Sequence, residues 1–185
     1  YKRQGGYHAA KLRRYQEMIE EHISTEMNDV FKAVSEAGGD MRKVDPSGFP
    51  VLNMLNTRYF IFPLQGGKTV PMQNPYTLGN AWFVNEVQYV DNANEEIDAL
   101  HRIDPARTAV VDKKFRAEVG PAAETDTLGS IKLTAYEPND LKYETNSQTG
   151  GTVVFSEIYY PGWQAYIDGC LLYTSPSPRD TERSR

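Results

Sequence analysis

Apolar positions, joined by one histidine, recur at three- and four-residue spacing through the first third of the chain. Leu12, Tyr15, Ile19, His22 and Ile23 form one stripe, and Met27, Val30, Phe31, Val34 and Ala37 form the next. This period predicts two amphipathic helices, with Ser24 or Thr25 capping the second and Gly38-Gly39 ending it. Asp45-Pro46-Ser47-Gly48-Phe49-Pro50 is a loop signal, and residues 51–56 read as a short helical turn. Residues 57–62 and 81–90 are aromatic and β-branched, as strands are. Asn92 and Glu95 then make a capping pair for a helix reaching Ile103, with Ala93, Ile97 and Leu100 on one face. Asp104-Pro105 stops that helix, and residues 108–111 read as a third strand. Strand, helix, strand in that order predicts a small α/β unit with a crossover connection.

Residues 120–129 form a loop rich in Ala, Thr and acids, after which the period changes to two. Ile131, Leu133 and Ala135 alternate, then Leu141, Tyr143 and Thr145, around the turn Glu137-Pro138-Asn139-Asp140. Further strands fit 152–160 and 163–167, and Asp168-Gly169 is a hairpin signal. The expected architecture is α+β: a helical segment over 1–45, a small α/β unit over 46–119, and an antiparallel β-sandwich over 130–169 that lacks its closing strands.

Composition narrows the function. With 185 residues, 39% of them apolar, the chain can bury a core in one ordinary domain or two small ones. The longest apolar runs, such as Tyr59-Phe60-Ile61-Phe62, fall far short of the roughly 18–20 residues a membrane span needs. A net charge of -5 argues against nucleic acid as a partner. A single cysteine, Cys170, makes no intrachain disulfide and no zinc-thiolate site. The chain opens at Tyr1 without methionine and reads as a piece of something longer. Residues 170–185 carry a Ser/Pro/Arg bias and no period; from Leu171 they resemble translated adapter read-through and are expected to be non-native.

The familiar catalytic signatures are missing. Gly66-Gly67-Lys68-Thr69 imitates the end of a phosphate-binding loop, but Phe62 stands where its first glycine belongs and Pro71 prevents a following helix. A turn between strands explains it. His8, His22 and His101 show no metal-ligand spacing, and Asp91-Asn92-Ala93-Asn94-Glu95 lacks the glycine and terminal glutamate of a calcium loop. There is no Gly-x-Ser-x-Gly elbow and no Cys/His pair for nucleophilic work. No catalytic residue, metal or cofactor is expected.

Two clusters keep a functional alternative. Lys2, Arg3, Lys11, Arg13 and Arg14 precede any acid, and cations at a helix start oppose its dipole by several tenths of a kcal/mol each. Lys11, Arg13 and Arg14 are therefore candidate contacts for an anion or lipid headgroup, against the reading that pairs such as Arg13–Glu17 simply face solvent. The aromatics Tyr159, Tyr160, Trp163 and Tyr166 either pack a sheet or present a sugar-stacking surface, with Tyr160 and Trp163 the candidate glycan contacts.

Four stretches are similar to the YfhO family of bacterial polytopic membrane proteins, in its Bacteroidetes form. They are Gly5-Gly6-Tyr7-His8-Ala9-Ala10-Lys11-Leu12-Arg13-Arg14-Tyr15-Gln16, Leu52-Asn53-Met54-Leu55-Asn56-Thr57-Arg58-Tyr59-Phe60-Ile61, Asn80-Ala81-Trp82-Phe83-Val84, and Tyr159-Tyr160-Pro161-Gly162-Trp163 with Asp168-Gly169. The resemblance runs in order from Tyr1 to Gly169 and ends at Cys170. It implies a water-exposed region on the extracytoplasmic (periplasmic) face of the bacterial inner membrane, attached to a glycosyltransferase-like membrane core. That core uses a polyprenyl-phosphate sugar to modify an envelope glycan, and its catalytic carboxylate belongs to a membrane-part loop outside these stretches. The membrane surface and the sugar donor or glycan are thus the implied partners. A stand-alone glycan-binding β-sandwich is the alternative.

Overall fold

The computed structural model describes residues 13–119, 129–158 and 162–171. The two expected N-terminal helices are one rod. Helix α1 (Arg13–Met18) runs through a π-helical turn (Ile19–Ile23) into α2 (Ser24–Glu36), with helical backbone angles at Met18, Ile23 and Ser24. Ser24 is no cap: its hydroxyl donates to Ile19 O at 2.8 Å, inside the wide turn. From within that turn onward every fourth residue, His22, Glu26, Val30 and Val34, is buried. The helix ends as expected at Gly38 and Gly39, both at positive φ. Gly39 N donates to Val34 O and Gly38 N to Ser35 O, the paired bonds of a Schellman close.

Val30 and Val34 pack with Met41, Val44, Phe49, Leu52 and Phe60 into the main core. Each such side chain contributes on the order of 1.5–3 kcal/mol by leaving water. Phe49 meets Phe60 and Tyr76 edge-on, both at 6.2 Å, and Phe31 meets Phe62 at 4.7 Å. The short helix α3 (Pro50–Met54) completes this layer, and its cap comes from far away in sequence. Pro50 has no N–H, and Phe49 supplies no capping side chain. The buried Glu26 carboxylate fills the gap, accepting Val51 N at 3.1 Å and Leu52 N at 2.9 Å. Burial outweighs these bonds and holds Glu26 above the ordinary glutamate range. The far end of α3 closes on Asn56 at φ 54, with Thr57 N bonded to Leu52 O.

Strand β1 (Tyr59–Pro63) pairs antiparallel with β2 (Thr69–Gln73), so Gly66-Gly67-Lys68-Thr69 does lie at a turn between strands. The sequence pattern gave no sign of β2, because Pro71 cannot donate to a ladder; a two-stranded ladder tolerates it, since each strand keeps a free edge. Behind the hairpin, Asn74 Nδ2 donates to Asn53 Oδ1 (2.9 Å) and Thr57 O (3.0 Å), while its Oδ1 accepts Tyr76 N. Both asparagines are buried and thus fasten β2 to α3.

The expected strand over 81–90 is two strands. β3 (Ala81–Val84) and β4 (Glu86–Val90) part at Asn85, where Asn85 N and Glu86 N both donate to Arg107 O. β4 pairs parallel with β5 (Thr108–Asp112) through helix α4 (Ala93–Ala99), the crossover unit read from the sequence. Asn92 caps α4 by accepting Asn94 N and Glu95 N. The helix stops four residues before the expected Ile103, in turns ahead of Asp104-Pro105. After α5 (Arg116–Val119), β6 (Ser130–Glu137) and β7 (Asp140–Asn146) form the alternating hairpin, with an irregularity at Thr134, whose hydroxyl bonds Lys142 O.

β8 (Thr152–Phe155) returns to pair antiparallel with β3, joining the segments on either side of 120–129. Tyr143 of β7 meets Phe155 of β8 edge-on at 5.0 Å. The expected strand over 163–167 is only β9 (Tyr166–Ile167), paired with β10 (Cys170–Leu171) around Asp168 and Gly169, both at positive φ as a tight hairpin requires. The chain is α+β, and its described strands form five two-stranded ladders. No helix among the described residues is long and apolar enough to cross a membrane.

Replacing Glu26 tests its role as a remote cap. Glu26→Ala leaves two buried N–H groups unpaired and is expected to cost about 2–4 kcal/mol in urea unfolding; Glu26→Gln, which keeps one acceptor, costs about half. Equal stability of Glu26→Ala and the parent would refute the role.

Candidate functional site

A cavity of about 460 Å³ lies between the start of the long helix and the crossover unit. Ala93, Ile97 and Leu100 of the α4 segment line it, the face recognised from their spacing. Met18 of α1, Val110 of β5 and Val153 of β8 add to an apolar lining. Trp82 of β3 also lines it, its indole N–H donating to Pro105 O at 2.9 Å. Its volume falls in the range of small-molecule sites, which are mostly apolar with a few placed polar groups.

The charged groups lining the cavity are Arg14, Glu17 and Glu96. Glu96 is fixed, because its Oε1 accepts Asp112 N at 2.7 Å and so ties α4 to the end of β5. Arg14 Nη1 lies 3.8 Å from Glu96 Oε2, beyond direct hydrogen-bonding distance, and its side chain is 70% exposed. That guanidinium keeps donors for an anion at the cavity. Arg13 instead pairs with Glu17 at 2.7 Å in the solvent-facing manner, so the cationic cluster divides. Lys11 and Tyr160 lie outside the described residues. Trp163 is exposed, as is Tyr166, whose hydroxyl donates to Gln164 Oε1. Among the described candidates, Arg14 alone lines the cavity.

Close by, two histidines scattered in the sequence meet. His22, in the π-helical turn, is only 2% exposed and donates from Nε2 to Ile97 O at 2.9 Å. Its ring lies 4.1 Å from that of His101, just beyond α4. Burial, more than any neighbour, depresses the His22 pKa. The one sequence signal of this pairing was a histidine on an apolar helix face. Among the described residues, no three His, Cys, Asp or Glu side chains gather as a metal site would require.

No protein-family model, curated protein or solved structure matches this chain.

The two partners at the cavity should differ in weight. Arg14→Ala is expected to change unfolding free energy by less than about 0.5 kcal/mol, as exposed pairs do. Glu96→Ala, which strands Asp112 N–H, should cost about 1–2 kcal/mol. Equal losses in urea melts would contradict this division.

Proposed function

We propose that this chain is the extracytoplasmic, water-exposed region of a polytopic membrane glycosyltransferase-like protein of the YfhO type. In this reading it is non-catalytic by itself and holds the lipid part of a polyprenyl-phosphate sugar at the periplasmic face of the inner membrane, for transfer to an envelope glycan. The observation that carries the reading is the apolar cavity with Arg14 in its lining. An isoprenoid chain suits apolar walls, and a phosphate suits a guanidinium that is only loosely held by Glu96. The four stretches that resemble the family support the same reading. In it, β6, β7 and β8, with Tyr143 against Phe155, belong to an antiparallel sandwich. Arg13 and Arg14 then face anionic headgroups, which attract juxtamembrane cations by about 1 kcal/mol each.

A second reading rests on exposed Trp163 and Tyr166: a β-rich module that stacks envelope glycan on these rings.

Calorimetric titration with farnesyl phosphate and with farnesol separates them. The parent is expected to bind both, the phosphate more tightly. Val153→Phe, which fills the cavity, should weaken both at least tenfold, and Arg14→Glu should weaken the phosphate alone. Unchanged binding in both variants, or none by the parent, sinks the lipid reading; glycan binding lost in Trp163→Ala would then favour the second. On anionic liposomes, co-sedimentation should fall in Arg13→Glu and Arg14→Glu, and equal binding would end the headgroup assignment.

A further inference from the structure

Where the long helix meets the crossover helix, a buried imidazole makes one of the contacts. His22 sits in the π-helical turn, an element that tends to mark functional positions in helices. Its Nε2–H reaches the carbonyl of Ile97, and its ring faces that of His101 at 4.1 Å. We infer that the His22–His101 pair is an acid-sensitive clasp that releases α4 from the long helix when the pH falls.

The neutral ring makes every contact the fold needs. A protonated His22 keeps its bond to Ile97 O, but it must place a charge in a site shut off from water and against a second imidazole ring. The groups that face it are Glu21 from its own turn, with Asp98 and His101 from the α4 side. Helix α3 also packs on the turn and carries no ionisable side chain. Burial and His101 oppose the charged ring; the Ile97 carbonyl, Glu21 and Asp98 favour it, and burial outweighs them. The folded pKa of His22 therefore lies below its unfolded value. The contribution to stability is present above the ordinary histidine range and is lost as pH falls from that range through the depressed folded value.

What moves is defined by the lining of the cavity. Ile97, whose carbonyl His22 holds, and Leu100 both line it. Releasing α4 on this side opens the cavity, while Glu96 still ties the helix to β5. The clasp stands on its own geometry, whatever the cavity takes.

Hydrogen exchange on the full chain at pH 7.5 and pH 5.5, corrected for intrinsic rates, reads this directly. Amides of Ile97, Asp98 and Ala99 are expected to lose at least tenfold in protection at the lower pH, while those of Val30 and Val34 change less than threefold. His22→Gln keeps an N–H donor for Ile97 O without a titrating ring and should abolish the difference. Equal losses in the parent and in His22→Gln, or no loss in the parent, overturn the clasp. Should His22→Gln fail to fold, the His22 ring resonances of the parent decide: titration well below the ordinary histidine range supports the clasp, and titration at or above it refutes it.

Discussion

A carboxylate placed on one helix to begin another organises this molecule. Glu26 accepts the two free N–H groups of α3, and α3 then carries polar contacts in two directions. Asn53 holds Asn74 and, through its own carbonyl, Leu78 N. The carbonyl of Met54 accepts the Ser156 hydroxyl at 2.8 Å, just after β8. Ser156 N in turn bonds Asn80 O, just before β3. One buried carboxyl group thus stands at the head of a series of bonds that ends at the ladder lining the cavity. Buried charges are costly unless satisfied, and the two amides offset only part of the cost for Glu26.

Glu26 and His22 lie one turn apart on the same helix face and respond oppositely to acid. Burial raises the carboxyl's pKa and depresses the imidazole's. The contribution of Glu26 is present below the ordinary glutamate value and lost as pH rises through the folded one; that of His22 is lost as pH falls. The same dry face therefore prefers both groups uncharged. This explains why the core beside them can remain apolar around two ionisable residues.

Local patterns were legible in the sequence, and long-range ones were not. The β6–β7 hairpin follows from alternation alone, the α4 cap from Asn92 and Glu95, and the close of α2 from Gly38-Gly39. The π-helical turn has no signature at the level of apolar spacing, so one rod read as two helices. Pro71 concealed β2, and the division at Asn85 depends on two different partner strands, β8 and β5. For the candidate site, the Ala93, Ile97 and Leu100 stripe was visible, but the cavity also needs Met18, Val110 and Val153, which only the tertiary fold brings together. The meeting of His22 with His101 is likewise a product of packing.

The division at Asn85 has a mechanical consequence. Two successive amides hang on the one carbonyl of Arg107, so the antiparallel β3–β8 ladder and the parallel β4–β5 ladder share a common hinge pin. The single-residue step from one ladder to the other is thereby pinned to the residue just ahead of β5.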